Sequence, residues 1–97
     1  MIYSLHPEAE ADLREAAEFY RGQAGKRLSQ ALLAEFESSV SMLLRHPNLG
    51  LVWRRDRRRY LMRRFPYSLI YRVVGEEVRI LAVAHQSRRP GYWRGRR

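Results

Sequence analysis

In-line cleavage of a ribose phosphodiester needs a base for the 2′-hydroxyl, cations for the charged phosphate and an acid for the leaving oxygen. Residue types that can supply each are found between Arg63 and Tyr92. His85 is a side-chain type that titrates near neutrality and can act as a general base. Arg63 or Arg64, Arg88 and Tyr92 are the candidates to complete such a set with His85. A second reading of His85 is structural: a ring that hydrogen-bonds locally and fixes the turn after the last strand. Tyr92 and Trp93 lie among Arg89, Arg94, Arg96 and Arg97. They can stack on bases or seal the sheet as core aromatics, and Trp93 leans to packing. His6 and His46 adjoin prolines at helix ends and read as turn and capping residues. Three dispersed histidines without a cysteine lack metal-site spacing. No metal and no cofactor is expected.

Charge is segregated along the chain. Residues 1–50 carry 5 Lys+Arg and 7 Asp+Glu, whereas residues 51–97 carry 14 Arg and 3 acids. The overall charge of +9 therefore belongs to the second half. Arginine is the bidentate, stacking cation suited to phosphates and carboxylates, so nucleic acid or an acidic protein is the expected partner. The alternative is a solvated basic face that keeps the protein soluble. The 97 residues, 45% of them apolar, make one globular domain. The opening MIYSLHPEAEADL has neither a basic leader nor a long apolar stretch. No apolar run approaches the ~20 residues that span a bilayer. A cytoplasmic protein without membrane contact is expected.

The elements that must position these residues follow from periodicity. Met1–Leu5 alternates and reads as a short edge strand. Pro7 opens a helix, with Glu8, Glu10 and Asp12 complementing its positive start. Leu13, Ala16, Ala17 and Tyr20 make its apolar face, and Gly22 and Gly25 end or bend it. A second helix runs from about Gly25 to Arg45 on the stripe Leu28, Leu32, Phe36, Val40 and Leu43. Ala31, Leu33 and Leu44 flank that stripe, as a wider core contact or as a groove for a partner. Pro47 and Gly50 forbid its continuation. Leu51–Trp53 is a short strand or an ordered connection. Arg54–Arg59 reads as a turn or projecting basic loop. Strands are expected at Tyr60–Phe65, Tyr67–Val74 and Val78–His85, broken by Pro66 and by the turn Gly75-Glu76-Glu77. Arg63 and Arg64 would then face opposite sides of one strand. Tyr67–Val74 is central, with Tyr67, Leu69, Tyr71 and Val73 on one face and Ser68, Ile70, Arg72 and Val74 on the other. The order is β-α-α-β-β-β, a small α+β domain with an N-terminal helical hairpin on an antiparallel sheet.

Four segments, HPEAEADLREAAEFY, RHPNLG, RRFPYSLIYRV and ILAVAHQSRRPGYW, resemble the RelE/ParE superfamily of bacterial type II toxin–antitoxin toxins. The resemblance spans nearly the whole chain in the family's order of elements. It implies a growth inhibitor neutralised by an antitoxin, typically through a segment that folds on binding. An acidic, partly apolar peptide suits the basic sheet rim and the helical hairpin. Arg63, Arg64, Arg88, Arg89 and Trp93 are the expected contacts with target or antitoxin. RelE-like members cut messenger RNA in the ribosome, and ParE-like members poison DNA gyrase. The ribonuclease branch places a basic residue after the central-strand tyrosine, where this chain has Ser68 after Tyr67. A second basic position aligns with Leu61. Arg63 fits a third, and Arg88 or Arg89 a fourth. Tyr92 stands near the terminal aromatic, at a shorter spacing. His85 also has counterparts in members without nuclease activity. The two uncharged positions favour the ParE-like branch, and this resemblance implies plasmid stabilization and gyrase inhibition.

Overall fold

The computed structural model describes residues 1–89 and 91–97. The helices begin and end where side chains can satisfy the free backbone groups. Pro7 opens helix α1 (Pro7–Ala24), and the His6 ring accepts the Glu8 N–H at 3.1 Å. Gly25, at φ 83°, separates α1 from α2 (Lys26–Arg45), and its N–H donates to the Arg21 carbonyl at 2.9 Å. Gly22 lies inside α1 and does not bend it out of register. Leu32, Phe36, Val40 and Leu43 are buried along α2, the stripe that its spacing predicts. The hairpin packs its two helices on each other and on one face of the sheet.

Five strands form the sheet: β1 (Ile2–Leu5), β2 (Leu51–Arg54), β3 (Arg57–Leu61), β4 (Tyr67–Val74) and β5 (Glu77–His85). Their order is β1-β5-β4-β3-β2, so β4 is central and β1 and β2 are edges. Strands β2 to β5 are antiparallel, whereas β1 runs parallel to β5, with Ile2 opposite Glu77 and Leu5 opposite Ile80. A parallel pair needs a long crossover, and the helical hairpin begins it.

Two boundaries differ from expectation. The basic run is not a loop: Arg57, Arg58 and Arg59 form β3 opposite Arg72, Tyr71 and Ile70. Arginine stems are apolar and can lie on a sheet; here the Arg57 head donates to the Arg96 carbonyl at 3.0 Å and the Arg58 head to the Gly50 carbonyl at 2.8 Å, so charge hid a strand. Residues 62–65, expected to continue that strand, bend away instead. Met62 N–H donates to the Tyr67 carbonyl at 2.9 Å. The next two amides, Arg63 and Arg64, leave the ladder for the Glu35 carboxylate on α2, at 2.6 and 3.0 Å.

The faces of β4 alternate as read. Tyr67, Leu69 and Tyr71 join the core under the helices, and Ile70 joins a second cluster with Ala82, Ala84 and Trp93. A bulge in β5 leaves Leu81 without an opposite residue, because Ile70 pairs with Ala82 and Tyr71 with Ile80. The extra residue shifts the alternation and brings Val83 and His85 to the helical side, opposite Leu69 and Tyr67.

Candidate functional site

The chain beyond β5 turns back across the sheet and is fastened at both ends. At the near end, the His85 carbonyl accepts the Arg88 N–H at 3.0 Å. At the far end, Arg96 reaches α1: its Nη1 donates to Asp12 Oδ2 at 2.6 Å and to the Leu81 carbonyl at 3.1 Å. Its Nε lies 3.0 Å from Glu8. The same Asp12 oxygen accepts the Val83 N–H at 3.1 Å, at the β5 edge beyond the reach of β1. Burial alone would lower the Arg96 pKa, but the Asp12 hydrogen bond and charge outweigh it and raise it. Between these anchors Trp93 is pressed on the sheet, 4% exposed, with its ring 4.2 Å from Trp53 in an edge-to-face arrangement. Trp93 is thus a packing residue and not an exposed contact.

His85, Arg88 and Tyr92 come together here. They form the wall between two clefts. One cleft, of about 330 Å³, lies toward α1 and is also lined by Asp12, Glu15, Phe19 and Tyr67. The other, of about 60 Å³, lies on the outer sheet face with Arg59, Ser68, Arg89 and Trp93. His85 Nδ1 accepts the Ser87 backbone N–H at 3.0 Å, and the Ser87 hydroxyl is 2.7 Å away. A backbone N–H only donates, so Nδ1 is the unprotonated nitrogen. The neutral ring then carries its hydrogen on Nε2 and has no free lone pair for a substrate proton. This geometry matches the structural reading of His85, a ring that fixes the turn. Tyr92 is equally committed. Its hydroxyl donates to Asp12 at 3.4 Å, and burial with the Asp12 charge pushes its pKa up to about 12. Arg88 covers the Tyr92 ring at 4.2 Å, and Arg96 lies 5.1 Å from it.

Arg63 does not join them. Arg63 and Arg64 lie in the bend after β3, both exposed, and neither lines either cleft. Their amides face Glu35, and the Arg64 guanidinium is 5.9 Å from the Phe65 ring. Leu61 and Ser68 are register partners. Ser68, 4% exposed, lines the floor of the outer cleft. The cleft therefore holds cations without a free base.

Sequence reasoning passed over Arg59, Trp53, Asp12 and Arg96. Arg59 was hidden inside a run taken for a loop. Glu8 and Asp12 did carry a signal: like charges at i,i+4 on one helix face repel unless a cation sits between them. Arg96 is that cation, bound to both.

Comparisons with known proteins agree with this architecture. A family described as the ParE toxin of the type II toxin–antitoxin system parDE matches residues 3–90. A chain from a solved structure titled "Chromosomal ParDE TA system from P. aeruginosa" superposes with a TM-score of 0.78 at 24% identity. The match covers 88% of this chain and 95% of that one, and at this identity it speaks for the fold. Curated protein sequences gave no significant match. With the family matched over residues 3–90 and the helical hairpin and sheet in place, the chain belongs to the ParE toxin family of type II toxin–antitoxin systems.

Proposed function

We propose that this toxin inhibits growth by acting on DNA gyrase, and that a cognate acidic antitoxin neutralises it. The observation that carries the reading is the dismantled cleavage set. The family's ribonuclease branch needs cations where Leu61 and Ser68 stand. Arg63 is outside both clefts, and both nitrogens of the His85 ring are used or protonated. What is left is a basic scaffold for macromolecular contact. Arg63, Arg64, Arg88 and Arg89 are exposed and available to the target or the antitoxin, with Trp93 behind them as support. The exposed Leu33 on α2 and Phe19 on α1 add apolar anchors for an antitoxin segment that folds on the hairpin.

Purified protein added to gyrase and relaxed plasmid tests the reading. Loss of supercoiling, with His85→Ala as inhibitory as the parent chain, is the expected result. Normal supercoiling together with rapid translation arrest and cut transcripts on ribosomes would replace it with the ribonuclease reading.

A further inference from the structure

We infer that the outer sheet face binds the sugar-phosphate backbone of duplex DNA directly, through the cleft of Arg59, Arg88, Arg89 and Ser68, without cutting it. The acids on this face are already spent. Asp56 is paired with Arg57 and Arg72, at 3.1 and 2.8 Å, and Glu77 with Arg79 at 3.1 Å. Arg59 and Arg89 have no acidic partner among the described residues, and both line the cleft. Exposed Arg54, Arg55, Arg94 and Arg97 belong to the same basic half of the chain. At the cleft floor Ser68 is 4% exposed and makes no side-chain hydrogen bond among the described residues. A hydroxyl at the cleft floor under a rim of arginines suits a phosphate oxygen, which accepts from both.

The aromatic residues decide which nucleic acid fits. Single strands are held chiefly by stacking bases on open aromatic faces. Here Trp53 and Trp93 pack on each other, and the Tyr92 ring is covered by Arg88 and Arg96. What remains is contact with a regular backbone. An acidic peptide would want apolar pockets beside the charge; the one around Leu49, Leu51, Val52 and Leu61 meets this cleft at Trp53 and Arg59 alone and does not include Ser68, Arg88 or Arg89.

Fluorescence anisotropy of a labelled 20-base-pair duplex, titrated with the purified toxin alone, tests this. The duplex should bind regardless of sequence. Three arginine–phosphate contacts predict a slope of log K against log salt of about −2.7, and two fewer remove about 1.8 of it. Arg59→Glu with Arg89→Glu should weaken binding at least tenfold. Lys26→Glu with Arg27→Glu, the same charge change in the first turn of α2, should cost under threefold. Ser68→Ala should cost a few-fold, and circular dichroism checks that each variant is folded. Equal loss from both charge pairs would reduce the effect to net charge and overturn the site. So would no binding, or tighter binding of single-stranded DNA or RNA than of the duplex. Gyrase is absent from this experiment, so its failure leaves the gyrase reading standing, and the supercoiling assay decides that reading separately.

Discussion

Asp12 holds more of the molecule together than its place on a helix suggests. One carboxylate oxygen accepts from Arg96, from the Val83 amide and from Tyr92. Asp12→Ala leaves a nearly buried guanidinium with Glu8 as its remaining carboxylate, and a bare edge amide. The expected cost is about 2–3 kcal/mol, read as a lower urea midpoint with early loss of the Trp53–Trp93 fluorescence signature. Tyr71 is a second such point. Its hydroxyl donates to the Pro47 carbonyl at 2.7 Å and accepts the Gly50 N–H at 2.9 Å. Tyr71→Phe strands both groups and should cost about 1–3 kcal/mol. Gly50 is a close approach as well: a Cβ there would come within 2.8 Å of the Tyr71 ring. Arg55, in the β2–β3 turn, has φ 49° without being glycine. Arg55→Asn should raise stability by about 0.5–1 kcal/mol, since asparagine tolerates that conformation better.

At the scale of elements, the parallel β1–β5 pair is tied by side chains. The Ser4 hydroxyl and the Arg79 guanidinium both donate to the Glu77 carboxylate. The Arg79 hydrogen bond first, then that of Ser4, holds the Glu77 pKa below the ordinary glutamate value. A lowered carboxyl pKa stabilises the fold above the unfolded value of about 4.3 and loses that contribution as pH falls through the folded value. Glu77→Gln should therefore lower stability at neutral pH and flatten the acid limb of a stability-versus-pH curve, the two chains converging as pH falls below about 4. Most elements were legible. The alternation of Tyr67–Val74 placed β4 and its two faces, and the spacing of Leu32, Phe36, Val40 and Leu43 placed α2. Strand β3 was hidden because apolar scales score arginine by its head and ignore its stem. The Leu81 bulge left no local mark either, because cross-strand packing sets it. The site was half legible: His85, Arg88 and Tyr92 do meet, but Arg96 and Asp12 are far apart in sequence and no period connects them.

At the scale of the whole molecule, the two sides of the sheet are chemically different. Helices cover one side with an apolar core, and the other carries the arginines over a small aromatic cluster. Two tyrosines sit at the meeting of these environments. Burial first, with added repulsion from Tyr20 and Glu15 at Tyr67 and from Asp12 at Tyr92, pushes both pKa values up to about 12. A raised phenol pKa gives stability that is complete below the unfolded value of about 10 and is lost as pH rises through the folded value. The urea midpoint should fall between pH 10 and 12 as tyrosinate absorbance rises, and Tyr92→Phe should lessen that fall.

Strand β1 has one more consequence. Ile2 to Leu5 pair with Glu77 to Ile80, so β1 leaves the ribosome well before the strand it pairs with. The sheet cannot close while the carboxyl-terminal half is still in the exit tunnel, and pairing across so long a loop is slow. A nascent toxin is therefore without its finished sheet until β5 has emerged. That interval lets a partner meet it while β5 still has a vacant edge.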